Sequence, residues 1–488
     1  MNFPLAFRRC RLPVWLIPMV WTLALGLWGL SRQHSVWRDE AATWQVAQRT
    51  AGEIWHMLGQ VDVVHGLYYL LMHGLFGLFG PGTTTLRLPS VLAMAVAAAC
   101  VMVIGRRLAG TWAGLGGGLA FGLLPAVQFH LQEGRPYALV AAGAAISTLL
   151  LVSVLVGRGR AICWAAYGGT VLVCGLLNWL SLLILPAHLA TLAWAGARRG
   201  IWIRWAASSA TAVACVLPLI LFSRGQSDQV SWIPPLTWHM MIGPAVLLAI
   251  GGLGALLDRP QAGRLSAAVV GLPLLAVPQI GLIGLSLAQP LYVDRYILFS
   301  MLGLALLIGA GLAAAVRSAA PRFPRASLWI LPVAFAVAMA ALAPQALAER
   351  SPDSRVDDVL AVAAEVRRLK EAGAAVLFIP AARRDTALVS PDAFTGLRDI
   401  ALMEGPKESG TLKGVEADPA RIRAATAAQR RVLLVTDATG PAKAVSAERD
   451  RAKASVLKEY FTVVSDQQVR GRRVTVYERL GPGRRSRR

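Results

Sequence analysis

Charge is what this chain has least of. Only 16% of its 488 residues are Asp, Glu, Lys or Arg, with 27 carboxylates against 49 basic side chains. Soluble domains carry about 25% charged residues, so an ordinary water-soluble protein is excluded. Cysteine is scarce too. Cys10, Cys100, Cys163, Cys174 and Cys215 lie in or beside apolar stretches, with no CxxC or metal-ligand spacing. Disulfides therefore do not hold together the polar C-terminal region, which contains none of them. Acidic clusters and Asp-x-Asp pairs are missing from the connecting loops, so no metal is expected, and no other cofactor.

What is present is apolar sequence. Hydrophobic residues make up 56% of the chain, and mean hydropathy is +0.54. Apolar runs lie near 13–30, 86–105, 111–127, 137–156, 161–177, 180–197, 201–222, 239–257, 265–288, 296–316 and 327–347. They predict a polytopic α-helical membrane protein with about eleven transmembrane helices for a hydrocarbon core of roughly 30 Å. The N-terminus has the basic start and apolar stretch of a signal peptide, but GLSRQHS lacks a small-residue cleavage site. It reads as an uncleaved first span.

The net charge of +22 does not point to nucleic acid, because the basic residues sit in short clusters between apolar runs. Arg8, Arg9 and Arg11; Arg106 and Arg107; Arg158 and Arg160; Arg198, Arg199 and Arg204; Arg259 and Arg264; and Arg317, Arg322 and Arg325 all fall on one face if each run crosses once. By the positive-inside rule that face is cytoplasmic, in a multi-pass protein of the cell (plasma) membrane with a cytoplasmic N-terminus. Counting HGLYYLLMHGLFGLF (65–79) as a span would break this register, so it is expected to lie flat on the outer surface. A second surface helix is expected from Ala41 to Leu58, carrying Trp44 and Trp55.

These readings divide the chain at the last span. Residues 1–348 form the membrane domain, with two surface helices in the loop 31–85. Residues 349–480 form a small extracytoplasmic domain, and 481–488 (GPGRRSRR) a disordered basic tail. In the second domain RVDDVLAVAAEVRRLKEAG reads as a helix, and AVLFIP, RVLLVT, FTVVS and RVTVYE as strands. Alternating strands and helices predict an α/β fold, and the absence of GxGxxG or a P-loop implies no nucleotide.

The outer loops hold ionisable residues where they are costly. Arg38, Arg135, Arg224 and Arg295 sit beside the outer ends of spans, with Asp39, Glu40, Asp62, Glu133 and Asp294 near them. Charges at membrane depth mark a functional site by default. Arginines suit an anionic headgroup such as a phosphate, and a nearby carboxylate can take a proton from a hydroxyl.

The motifs WRDEAAT (37–43), DVVHGLYYLLMH (62–73) leading to LRLPS (86–90), EGRPYAL (133–139) and DRYILF (294–299) occur in that order. Over roughly residues 10–310 the chain resembles the GT-C glycosyltransferases of the family 39 type, relatives of protein O-mannosyltransferases and aminoarabinose transferases. The resemblance implies transfer of a sugar, with mannose the first expectation, from a polyprenyl-phosphate donor to a hydroxyl acceptor outside the cytoplasm, with inversion. The acceptor (glycan, lipid or protein) is not specified by it. Membrane lipids are the surroundings expected.

By this resemblance Asp39 matches the general base, and Glu40 its positioning neighbour. Helix capping is the structural alternative for Asp39. Arg135 and Arg295 are the candidates for the donor phosphate, with interfacial anchoring as their alternative. Glu133 is a candidate second acid at sugar or acceptor, and His65 a candidate phosphate ligand. His65 stands before Gly66 and Leu67, where the family pattern continues Pro-Pro-Leu-Tyr. Asp62 either supports His65 or is solvated. Tyr137, Tyr296 and Trp232 are candidates against sugar or lipid, or else interface aromatics. His188 and His239 read as structural. A transporter or flippase of an anionic lipid-linked substrate is the rival function, since it shares the arginines and the spans. It more often shows repeated halves and midplane charges.

Overall fold

The computed structural model describes residues 13–30, 34–226, 232–259, 265–438 and 447–481. Arg8, Arg9, Cys10, Arg11, Arg264 and the tail 482–488 lie outside the described residues. Helix α1 (Leu16–Leu27) is followed by a loop holding α2 (Arg38–Ala47), α3 (Ala51–Leu58) and α4 (Gly66–Phe79). Then come α5 (Thr83–Ala109), α6 (Thr111–Leu123), α7 (Pro125–Leu131), α8 (Tyr137–Leu155), α9 (Ile162–Leu177), α10 (Ile184–Trp194) and α11 (Arg199–Arg224). The membrane part ends with α12 (Ile242–Leu256), α13 (Ala267–Ala288), α14 (Met301–Ala319), the short α15 (Pro324–Ser327) and α16 (Ile330–Ala348).

Every run expected to span contains a helix. Among the described residues seven are long and apolar enough to cross a bilayer, or eight if the bent pair α6–α7 counts as one. Helix α1, helix α9 and the segment Trp179–Trp194 are apolar but shorter. The 61° bend between α6 and α7 has a local cause. Leu124 is extended (φ −57°, ψ 130°), as the residue before a proline prefers, and Pro125 opens α7 where its missing N–H costs nothing. Inside the bundle, helices meet through small residues, the packing mode that works without a hydrophobic driving force. A Cβ at Gly309 of α14 would lie 2.2 Å from the Ala113 carbonyl oxygen of α6. Only glycine permits that approach.

The loop before α5 departs from expectation. The surface helix predicted over 41–58 is two helices, broken at Gln48–Thr50. Thr50 caps α3 with a reciprocal capping box: Glu53 N–H donates to Thr50 Oγ1 at 3.3 Å, and Thr50 N–H donates to Glu53 Oε2 at 2.8 Å. Helix α4 packs on α2 and α3 and against α5 and α9, with Phe76 edge-on to Trp44.

The C-terminal region begins with α17 (Val359–Leu369), capped by Asp358, which accepts from the N–H groups of Leu360 and Ala361. Its strands are β1 (Ala375–Ile379), β2 (Arg398–Asp399), β3 (Leu402–Glu404), β4 (Val415–Glu416), β5 (Arg431–Asp437), β6 (Phe461–Val469) and β7 (Arg472–Arg479). The main sheet runs β2-β1-β5-β7-β6, with β1 parallel to β2 and β5, and β7 antiparallel to β5 and β6. All of β1 is buried, because both faces are covered. Val376 and Phe378 pack with Val362 and Val366 of α17; Ala375, Leu377 and Ile379 pack with Ile422, Val456 and Leu457 on the other face. The four expected strands are present, and β6 runs four residues further than FTVVS.

This domain sits on the end of the bundle that carries α2–α4. Arg355 Nη2 donates to the carbonyls of Phe129 (3.0 Å) and Gln132 (3.2 Å), and Arg49 Nη2 donates to the Thr411 carbonyl at 2.7 Å. At the far end of α5, Arg107 bonds Ser153 and neighbours Arg106 and Arg158. Arg106, Arg107 and Arg158 therefore meet at the end of α5 away from the C-terminal domain.

Candidate functional site

Successive residues of a helix point about 100° apart, and α2 uses this to send two adjacent carboxylates to different places. Glu40 turns inward and has no exposure. Its Oε1 accepts from Arg87 Nε at 2.7 Å and from the Gly134 N–H at 2.8 Å, and its Oε2 accepts from Arg87 Nη2 at 2.6 Å. Arg87, also fully buried, donates further to the Ser35 carbonyl at 2.6 Å. Glu40 thus ties α2 to α5 and to the loop between α7 and α8.

Asp39 turns outward, and its side chain is 23% exposed. Its Oδ2 lies 3.4 Å from Arg295 Nη2. Asp39 is in the first turn of α2, whose cap is Trp37, and it caps nothing with its side chain. Arg295 stands on a 3-10 turn (Asp294–Ser300) leading into α14. Its guanidinium carbon lies 6.0 Å from the ring of Trp37, 5.8 Å from Tyr137, 5.5 Å from Trp232 and 5.9 Å from Tyr296. Four aromatic faces and one carboxylate surround it. The buried Nε of Arg295 makes no hydrogen bond among the described residues.

Arg135 completes the cluster from the loop between α7 and α8. Its Nη1 donates to the Asp39 carbonyl at 3.3 Å and to Thr43 Oγ1 at 3.4 Å, and its Nη2 donates to His65 Nε2 at 2.7 Å. Because arginine only donates, His65 Nε2 is an acceptor, and the proton sits on Nδ1, which donates to Asp62 Oδ1 at 3.0 Å. Burial and the nearby Arg135 push the His65 pKa down, outweighing Asp62, so the ring stays neutral. Asp62 takes a left-handed conformation (φ 62°) and accepts from Tyr69 as well. Burial opposes its ionisation, but His65 and Arg135 hold its carboxyl well below the usual range.

Glu133 lies deeper. Its side chain pairs with His130, and its backbone carbonyl accepts from Ser90 Oγ at 2.6 Å. Burial pushes its pKa up, but His130, with Arg355 and Arg295 further off, brings it down to about 2. Its Oε1 has no hydrogen bond among the described residues. Gathered around Asp39 are therefore Arg135, Arg295, His65, Tyr137, Tyr296 and Trp232, with Glu133 and Glu40 behind them. His188 lies apart, held between Thr148 (3.0 Å) and Tyr167 (2.9 Å), and His239 stacks on Trp238.

Sequence reasoning passed over Arg87, Trp37, Tyr69 and His130. The signal for Arg87 was an arginine inside an apolar run (86–105), whereas Arg135 and Arg295 were marked by standing beside the outer ends of runs. Among the described residues no group of three His, Cys, Asp or Glu side chains could hold a metal ion. Apolar grooves of about 110 and 210 Å³ flank α16, and neither includes a residue of the Asp39 cluster.

No family model matches the sequence, and no curated protein matches it either. Solved structures do. ArnT from Cupriavidus metallidurans in the apo state superposes with a TM-score of 0.61 at 14% identity, covering 95% of this chain and 97% of that one. The same protein bound to undecaprenyl phosphate gives 0.58 at 14% identity, covering 95% and 98%. The Archaeoglobus fulgidus oligosaccharyltransferase in the apo form gives 0.51 at 12% identity, covering 92% and 72%. At such identities the likeness is one of architecture: this chain has the fold of the GT-C membrane glycosyltransferases, with a small α/β domain at its C-terminal end.

Proposed function

We propose that this protein is an inverting membrane glycosyltransferase that moves a sugar, mannose as the first candidate, from a polyprenyl-phosphate donor to a hydroxyl acceptor outside the cytoplasm. The observation that carries the reading is the meeting of three distant parts of the chain: Asp39 within 3.4 Å of Arg295, and Arg135 bonded to the backbone of Asp39 itself. Arginine clusters at the opposite end of α5 support a cytoplasmic N-terminus and an outward-facing site.

In this reading the acceptor oxygen forms a bond to C1 of the sugar as the bond from C1 to the phosphate oxygen breaks. The acceptor's proton passes to an Asp39 carboxylate oxygen, and the lipid leaves as polyprenyl phosphate. Arg295 and Arg135 stabilise the charge that develops on that phosphate. A phosphate at Arg295 competes with Asp39 for the guanidinium, which leaves the carboxylate to the acceptor. His65, neutral and held by Asp62, fixes the fork of Arg135 without adding charge. The rings of Tyr137, Tyr296, Trp37 and Trp232 keep the Arg295 guanidinium in a poorly hydrated setting, where its field is strong.

Incubation of the purified chain with labelled polyprenyl-phosphate mannose and a membrane extract tests this. A labelled product that is lost with Asp39→Asn supports the reading. A folded wild-type protein that transfers nothing from several polyprenyl-phosphate sugars, yet moves such lipids between leaflets, would instead make it a flippase.

A further inference from the structure

Helix α2 begins without a cap of its own. Trp37 occupies the N-cap position and supplies no side-chain acceptor, so the first N–H groups of the helix need partners from elsewhere. One comes from Asp357, 319 positions along the chain in the segment that opens the C-terminal domain: its Oδ1 accepts from the Arg38 backbone N–H at 3.0 Å. Its Oδ2 accepts from Arg38 Nε at 3.1 Å and from Arg472 of β7, Nε at 3.1 Å and Nη2 at 3.0 Å. Asp357 and Arg472 have no exposure. Arg472 is in turn held by Asp385, which accepts from its Nη2 at 2.7 Å.

Two further contacts fix this junction. The Val359 N–H donates to the Val36 carbonyl at 2.7 Å, joining the two backbones just ahead of α2. The turn between β6 and β7 presses onto the same segment: a Cβ at Gly471 (φ 79°) would lie 1.9 Å from the Val356 carbonyl oxygen. The approach exists because that residue is glycine. The chain of contacts from the sheet to Asp39 is therefore short and rigid: β7, Asp357, the first N–H of α2, and then the next residue.

We propose that Asp357 is a positioning residue for Asp39, and that the C-terminal domain completes the site by capping, across the domain boundary, the helix that carries the base. The catalytic half of this statement rests on the function proposed above; the capping half does not. A carboxylate at a helix N-terminus meets both the unpaired N–H groups and the positive end of the helix dipole. Without it the start of α2 loosens, and Asp39 leaves its place beside Arg295 while Glu40 still ties the helix to Arg87 and Gly134.

The test uses the full-length protein with Asp357→Ala, which leaves Arg472 paired with Asp385, and reads two quantities. Hydrogen exchange reports capping whether or not a sugar is transferred: exchange should quicken in residues 38–42 and stay unchanged in α4 and α5. Turnover with the donor used above should fall about 10²-fold, the scale of an ångström-sized misplacement, with KM for the donor little changed. Asp357→Leu is the second variant, for the case in which Asp357→Ala does not fold. It fills the space that alanine leaves empty but offers no acceptor to the Arg38 N–H, and Arg472 keeps Asp385. The same pair of changes is expected. Unaltered exchange over 38–42 in a folded variant overturns the capping. Quickened exchange with unaltered turnover overturns the positioning role. A wild-type protein without transfer activity, but with the exchange response, would remove the glycosyltransferase reading and leave the cap standing.

Discussion

Glu40 and Asp39 leave the same turn of α2 toward two different arginines, and the two contacts are built on opposite plans. Glu40 meets Arg87 through two bonds of 2.6–2.7 Å, both side chains fully buried, with the Gly134 N–H as a further donor to the carboxylate. Asp39 meets Arg295 at 3.4 Å, both side chains partly exposed, and the guanidinium is flanked by ring faces that take no hydrogen bond in its plane. The first pair is saturated and has nothing left to offer a ligand. The second retains donors and a side open to solvent. A buried, satisfied pair fixes geometry at a desolvation cost; a loose pair beside aromatic faces is an exchangeable one, ready for a competing anion. One residue's difference in sequence separates a saturated pair from an open one.

The contrast can be broken experimentally, and the largest effect belongs to the open pair. Asp39→Asn should lower sugar transfer by about 10²–10⁴-fold, the usual range for removing a general base, while the thermal midpoint in detergent stays near that of the parent. Glu40→Ala should do the reverse in kind. It strands Arg87 without its buried counter-charge and should cost about 3–5 kcal/mol of stability, read by thermal unfolding. Adding Arg87→Met to Glu40→Leu should restore part of that loss, because two apolar side chains leave no orphaned charge.

Arg295→Lys sharpens the comparison next. An ammonium keeps the charge but loses the planar fork and the stacking on rings, so turnover should fall about 10–100-fold, as for loss of one anion-stabilising donor, with little change in stability. If Arg295→Lys unfolds the protein instead, the open pair is structural as well. The smallest effect is that of pH on His65. Its pKa lies below the ordinary value, so the unfolded chain takes up a proton first as pH falls through about 6.5, and stability declines toward acid pH. That decline between pH 7.5 and 5.5 should be shallower in His65→Gln, which can still accept from Arg135; an identical slope in both proteins would leave His65 without a part in it.

Much of this site could be read from residue type and topology alone. Arg135 and Arg295 stood out because arginine is rare at the outer ends of spans, and Asp39 because of the motif around it. The structure brings these three together, with Tyr137, Tyr296 and Trp232 close by. Arg87 escaped notice because it is the fifth residue of a long apolar helix, where hydropathy averages away a single charge. The break between α2 and α3 was written as Thr-x-x-Glu at 50–53, but an amphipathic pattern running across it suggested one helix. Strands β2, β3 and β4 span only two or three residues, too few to show alternation. Asp357 could not have been found from spacing. It sits in a polar stretch whose partners lie at positions 38 and 472, and no local pattern links them.

That last bond also orders events in the life of the chain. Arg38 is synthesised 319 residues before the carboxylate that receives its N–H, so the whole of α2 exists in the nascent chain long before its partner does. Until Asp357 is made, the helix bearing Asp39 lacks the acceptor at its first N–H. Maturation of this end of the bundle is thereby tied to the arrival of the C-terminal domain.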